Sequence, residues 1–155
     1  MALEIERRFL IKNDNWKKFI TKKIFIEQGY LSKSFEDWIV RIRFPGKDYK
    51  IALKKHIESF TNFEFEYSIP RNDGETIMSS LSNTIKKERF YLEIERKSWI
   101  IDCFKEKNYP LEIAEIELSN EKEDLILPPF ISKEITGLKN FSNFSLTNKP
   151  FSEWK

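Results

Sequence analysis

The 155-residue chain is short of the residues that break or staple a fold: four glycines, six prolines and one cysteine. So few glycines and prolines exclude collagen-like, linker-rich and low-complexity organisation, and no repeat of solenoid length is present. A lone thiol, Cys103, can form neither an internal disulfide nor a multi-thiolate zinc site, which suits a reducing cytosol. His56 is the one histidine, so a histidine nucleophile or zinc centre has no second member, and a surface role is expected for it. Charge of one sign is not in excess either. With 27 basic and 25 acidic side chains the net charge is +2, which gives no footing for nucleic acid. A glycine-rich phosphate loop is missing, which removes P-loop and Rossmann readings. No apolar run is long enough for a signal peptide or membrane span, and charge begins at Glu4, so a soluble cytoplasmic protein is expected.

What is abundant is aromatic and ionised. Hydrophobic residues make up 40% of the chain, with 14 Phe, and charged residues 34%, which predicts one globular domain spanning residues 1–155. Trp16, Trp38, Trp99 and Cys103 are expected in apolar packing, and Trp154 as a terminal contact. Six segments alternate apolar and charged residues with the period of a strand: 3–10, 38–44, 49–54, 63–69, 87–92 and 114–118. Pro45 to Asp48 reads as the turn of a hairpin from Trp38 to Lys54. Three short helices are expected: one carrying Trp16, Phe19 and Ile20 after Asn13-Asp14-Asn15, one spaced through Ile77, Met78, Leu81 and Ile85, and one near Pro128-Pro129.

The charges sort by strand. Glu4/Glu6, Glu64/Glu66 and Glu115/Glu117 are acidic doublets, whereas Arg41/Arg43 and Lys87/Arg89 are basic, each opposite a mainly apolar face that only Arg7 and Glu88 interrupt. Residues i and i+2 of a strand lie about 7 Å apart, where like charges repel by roughly 2 kcal/mol at an effective dielectric near 20. A lone doublet is easily a chance surface feature, but five doublets embedded in alternating strands point to partners of opposite sign. If the apolar faces turn outward, the charged faces converge inside a barrel of about eight strands, which holds one small ligand. Clustered carboxylates suit Mg²⁺ or Mn²⁺, and clustered Arg and Lys suit phosphate oxygens, so a linear polyphosphate satisfies both sets.

The order of short motifs carries a resemblance. Glu4-Ile5-Glu6-Arg7-Arg8, Gln28-Gly29-Tyr30-Leu31, Arg41-Ile42-Arg43, Ala52-Leu53-Lys54, Glu64-Phe65-Glu66-Tyr67, Lys87-Glu88-Arg89-Phe90, Ala114-Glu115-Ile116-Glu117-Leu118 and Lys133-Glu134-Ile135-Thr136-Gly137 run nearly end to end. In this order they resemble the CYTH superfamily, the triphosphate tunnel metalloenzymes. The resemblance implies an α+β fold in which a closed antiparallel β-barrel of about eight strands, with a few flanking helices, forms a triphosphate tunnel. It implies a metal-dependent triphosphatase converting inorganic triphosphate to diphosphate and phosphate. Adenylate cyclase activity, nucleoside or thiamine triphosphatase activity, and a non-catalytic polyphosphate- or nucleotide-binding tunnel stand as alternatives. Glu4, Glu6 and Arg8 are then expected in catalysis, and Arg41, Arg43, Lys54, Lys87, Arg89 and Lys133 on the phosphates. Glu4, Glu6, Glu64, Glu66, Asp102, Glu115 and Glu117 are expected to hold the metal, directly or through water. Arg8 stands where the family's Glu-x-Glu-x-Lys signature has lysine, keeping the charge but changing its shape and donor geometry. A homodimer fits both the family and the outward apolar strand faces; no nucleic-acid or membrane partner is expected.

Overall fold

A computed structural model describes residues 3–34 and 37–154. Nine strands follow in chain order: β1 (Leu3–Ile11), β2 (Ile20–Tyr30), β3 (Ile39–Phe44), β4 (Tyr49–Glu58), β5 (Thr61–Ile69), β6 (Ile85–Ile94), β7 (Lys97–Phe104), β8 (Glu112–Glu117) and β9 (Ile131–Glu134). Helix α1 (Arg71–Ser79) links β5 to β6, and α2 (Asn143–Asn148) follows β9. The sheet runs β5-β4-β3-β2-β6-β7-β8-β1-β9 with every pairing antiparallel, and β5 also pairs with β1 through Leu3↔Phe63 and Ile5↔Thr61. That last pairing closes the ring, leaving β9 on β1 alone, so the fold is the antiparallel barrel the sequence predicts. No helix among the described residues is long and apolar enough to cross a membrane.

The two faces of the wall follow the alternation of the sequence. On the outside of β1, β6, β7 and β8 lie Phe9, Leu92, Trp99, Ile101, Ala114 and Ile116, sealed by Trp16 and Phe130 from the segments before β2 and before β9. Burying a side chain of this size contributes about 1.5–3 kcal/mol, which makes this outer cluster the main apolar anchor of the wall. A second cluster, Ile85, Phe104, Leu111, Ile113, Ile135 and Leu146, fills one end of the barrel, with Phe141, Phe151 and Trp154 packed against it. The C-terminal segment therefore stoppers that end.

Several local expectations change. The segment carrying Trp16 is a 3-10 turn, Asn15–Phe19, and Ile20 already begins β2. Helix α1 ends at Ser79, and Ile85 opens β6 instead of completing a helical stripe. Gly74 lets α1 lie on Tyr49, because a Cβ there would stand 2.1 Å from the ring. The segment at Pro128-Pro129 is not helical but a turn into β9, and the late helix is α2, whose N-terminus Ser142 caps by accepting from Ser145 N–H. Trp38, expected in the core, is only partly buried and lies on the outer wall against Phe63 and Phe65. His56 is exposed beside Asn62, as its solitary status suggested.

Candidate active site

Inward-facing positions of the strands bring most of the charged doublets into one cavity, in three connected groups. At one mouth Glu4 and Glu6 of β1 meet Lys54 of β4 and Glu64 of β5. The Lys54 ammonium lies 2.5 Å from Glu4, 3.7 Å from Glu6 and 3.8 Å from Glu64. One cation thus serves three carboxylates, so the group is under-neutralised. Burial pushes the Glu4 carboxyl up to about 7 against the pull of Lys54, with Glu64 adding to the rise. Burial, then the nearby Glu115, pushes Glu6 up to about 8. Burial disfavours the Lys54 ammonium, yet Glu6, Glu4 and Glu64 outweigh it and hold the pKa above the usual lysine range. Glu117 stands opposite Glu6 across the β1–β8 ladder at the exposed rim, its carboxyl raised by partial burial and by Glu4.

The second group lies along β2, β3, β4 and β5. Arg41 donates to Glu66 at 2.8 Å and lies 3.9 Å from Glu64, and Lys50 reaches Glu66 at 3.7 Å. Arg43 donates through Nε to the buried Gln28, which in turn donates to the Tyr30 hydroxyl. Burial, reinforced by repulsion from Arg41 and Arg89, lowers Arg43 to about 10.

The third group is the deepest. Asp102 of β7 accepts from Lys87 at 2.8 Å and from Arg89 in a two-pronged bond at 2.8 and 2.9 Å, and both Lys87 and Asp102 are 0% exposed. Burial opposes the Asp102 carboxylate, but Arg89 and Lys87 prevail and hold it far below the usual carboxylate range. For Lys87 burial prevails, lowering it to about 7 despite Asp102. Arg8 reaches Glu115 at 3.3 Å and donates to the Phe141 carbonyl at 3.0 Å. Burial opposes the Glu115 carboxylate, but Arg8, Arg89 and Lys87 together prevail and lower it. The stopper completes this group: Lys87 also donates to Asn143 Oδ1 at 3.0 Å, and Phe144 sets its ring edge against Tyr30.

Sequence reasoning missed Gln28, Tyr30, Asn143 and the Phe141 carbonyl as members of the cavity. Their amides and carbonyl carry no charge pattern, and the Lys87–Asn143 contact spans 56 positions. Asp102 stands apart from the other carboxylates, with both oxygens occupied by cations. Lys133 is exposed on β9, and no ion pair among the described residues joins it to the cavity.

Four buried side-chain polar atoms among the described residues lack a hydrogen-bond partner: Arg8 Nη2, Arg41 Nε, Glu64 Oε2 and Trp16 Nε1. Trp16 belongs to the outer cluster; the other three line the cavity. Each such atom costs about 1–3 kcal/mol. Two guanidinium donors without an acceptor call for an anion, and a carboxylate oxygen without a donor calls for a cation. No trio of acidic, histidine or cysteine side chains among the described residues already stands in ligating geometry, since Lys54 occupies the centre of the mouth group. The all-oxygen donor set of Glu4, Glu6, Glu64, Glu115 and Glu117, with its surplus of negative charge, nevertheless fits a hard divalent cation.

A closed antiparallel barrel whose interior is lined with facing cations and carboxylates defines a tunnel protein for a short polyanion. Comparison with known proteins narrows the class. No family model matches the chain. An inorganic triphosphatase of Acetivibrio thermocellus is 32% identical over 158 aligned residues, covering 100% of this chain and 99% of that protein. The crystal structure of an inorganic triphosphatase superposes with a TM-score of 0.68 at 25% identity, covering 93% of this chain and 97% of the other. A proposed adenylyl cyclase from Hippeastrum, described as having a dominant triphosphatase activity, shares the fold at a TM-score of 0.57 and 15% identity, over 77% of this chain and 80% of its own. The chain belongs to the CYTH superfamily of triphosphate tunnel metalloenzymes.

Proposed function

We propose that the chain hydrolyses inorganic triphosphate to diphosphate and phosphate, using Mg²⁺ or Mn²⁺. The observation that carries this reading is the pairing of opposite deficits in one cavity: buried Arg8 and Arg41 donors without acceptors, beside carboxylates without enough positive charge. A cation held by Glu4, Glu6, Glu64, Glu115 and Glu117 would supply charge neutralisation at phosphate oxygens and an acidified water.

The remaining work falls to side chains. Arg8, Arg41 and Arg43 bind phosphate oxygens, and their planar forks favour bidentate contacts. Asp102 fixes the direction of Arg89 and Lys87, so charge developing on the phosphoryl oxygens meets donors already oriented. A carboxylate of the mouth group takes the proton of the attacking water. Glu66 and Lys50 steer Arg41, and Lys54 exchanges its carboxylate partners for phosphate as the chain enters. Every side chain in this set reads phosphate, while Tyr30 is engaged by Gln28 and Phe144, and this favours the inorganic chain over a nucleotide or thiamine ester. A reducing cytosol, suited to the free Cys103 thiol, is the compartment we assign.

Phosphate release from inorganic triphosphate, ATP and thiamine triphosphate, measured side by side with Mg²⁺ and with Mn²⁺, tests the reading. Inorganic triphosphate is expected to give the highest kcat/KM. Preference for ATP with cyclic AMP as product would replace the reading with a cyclase, and binding without turnover would reduce it to a binding tunnel.

A further inference from the structure

The hydrogen bonds of the motif Lys133-Glu134-Ile135-Thr136-Gly137 converge on one cavity residue, Arg8. Strand β9 ends at Glu134, which stands opposite Phe9. One residue further, Ile135 N–H donates to the Arg8 carbonyl at 2.9 Å. A regular antiparallel ladder would return the Arg8 N–H to the Ile135 carbonyl. That carbonyl instead accepts from Leu138 N–H at 3.0 Å, in the turn where Gly137 takes a φ of +77°. The Arg8 N–H goes to the Thr136 hydroxyl oxygen at 2.9 Å, so a side chain stands in for the missing backbone acceptor. A hydroxyl carries one hydrogen, and the direction of that hydrogen decides which way its lone pairs face. The Thr136 oxygen lies 2.7 Å from Glu134 Oε2 and 3.4 Å from the Arg8 carbonyl. Arg7 donates to Glu134 through a fork at 2.9 and 2.8 Å, which holds the carboxyl below its usual range against partial burial and keeps it an acceptor. The hydrogen therefore points to Glu134, and a lone pair is left for the Arg8 N–H. Arg7 is itself steadied over the Phe9 ring, 5.4 Å from its centre.

We infer that Thr136 is a positioning residue for Arg8, its hydroxyl fixing the strand at the point from which the guanidinium meets the phosphate chain, which rests on the proposed role of Arg8 as a phosphate ligand. The relay crosses the wall: Arg7 and Glu134 on the outside orient the hydroxyl, the hydroxyl holds the backbone, and the Arg8 side chain faces the cavity. The turn after Thr136 also sets the other end of Arg8. It leads to Phe141, whose carbonyl accepts from Nη1 at 3.0 Å, while Glu115 holds Nε at 3.3 Å and Nη2 is left without an acceptor. With two of its three nitrogens engaged, the guanidinium cannot absorb a shift of the strand by changing rotamer without breaking one of these bonds. Backbone placement at Arg8 therefore decides where the unpaired Nη2 points.

Thr136→Val keeps the branched shape and deletes the hydroxyl. Its kcat/KM for phosphate release from inorganic triphosphate is expected to fall roughly 10–10²-fold, the scale of a small misplacement of a group at the reacting centre. Thr136→Ser, which restores the hydroxyl, is expected to recover most of that loss. In an Arg8→Ala background Thr136→Val should cost nothing further, because a residue that acts through Arg8 then has nothing to position. A loss of the same size in both backgrounds, or a serine variant as impaired as the valine variant, overturns the inference. Amide hydrogen exchange at Arg8, followed by NMR without substrate, should be slow in the wild type and the serine variant and faster in the valine variant; unchanged exchange in the valine variant also overturns it. Near-UV circular dichroism shows whether the valine variant keeps its fold. Should it not, Glu134→Ala at the exposed end of the relay takes its place, with the same direction expected in both assays. A wild type that releases no phosphate fails the proposed function alone, and exchange at the Arg8 amide then judges the Thr136 bond by itself.

Discussion

Replacing Asp102 with asparagine separates two roles for this carboxylate. In the fold it is the shared counterion of Lys87 and Arg89, with both oxygens in charged hydrogen bonds and no exposure. An asparagine at this position would keep the volume but present an amide group to two buried cations. Removing one partner from a buried ion pair costs about 3–5 kcal/mol, because the remaining charge is left uncompensated. For a chain of this length each kcal/mol moves the midpoint by roughly 2–4 °C, so Asp102→Asn is expected to lower Tm by roughly 6–20 °C. Urea unfolding followed by tryptophan fluorescence and a calorimetric melt, both without divalent cation, give the figure. The pH dependence has a definite sign. Asp102 is held below its unfolded value, so its contribution is fully present above about pH 4 and is lost as pH falls through the lowered folded value. The acid limb of the stability curve should therefore flatten in the variant. A variant that melts within a degree of wild type without cation, yet loses the response of Tm to added Mg²⁺, would refute this reasoning and make Asp102 a metal ligand.

Arg41→Ala is expected to lower kcat/KM on inorganic triphosphate by roughly 10²–10³-fold, the usual cost of deleting one oriented donor, with Arg41→Lys recovering part; steady-state kinetics report both. For the metal-free protein, Glu4 and Glu6 are raised to about 7 and about 8, so between pH 5 and pH 7 the folded state binds more protons than the unfolded state. Stability should thus fall as pH rises through that window in EDTA, and added Mg²⁺ should raise Tm more at pH 7 than at pH 5; a melt series in both media checks the sign. Gly74→Ala puts a methyl 2.1 Å from the Tyr49 ring and should cost about 1–3 kcal/mol in urea unfolding, because the helix must lift from the sheet.

Strands with one charged and one apolar face were legible because each face has its own solvent: the cavity within, apolar packing without. β1, β3, β4, β5, β6 and β8 all follow that rule. Hairpin geometry at Pro45 to Asp48 was equally readable, since Gly46 takes a φ of +91° there. β7 escaped notice because Trp99, Ile100, Ile101 and Cys103 make a nearly continuous apolar run, which periodicity cannot distinguish from a buried helix turn. β2 escaped because its first half, Ile20 to Phe25, pairs with β6 but extends beyond β3, so its side chains do not sort cleanly between inside and outside. α2 is six residues long and owes its stability to Tyr30 and the end cluster more than to its own sequence. In the cavity, charge segregation between strands pointed to the ionic lining. Gln28 and Asn143 needed coordinates, because an uncharged amide announces itself only through the group it touches.

The account turns on the cavity being a site for a three-phosphate chain, and phosphorus NMR of inorganic triphosphate incubated with the protein and Mg²⁺ or Mn²⁺ tests that most directly. Diphosphate and orthophosphate should grow in equal amounts with the cation and stay absent in EDTA. Triphosphate resonances left unchanged in position, width and intensity by a stoichiometric amount of folded protein, with either cation, would contradict it.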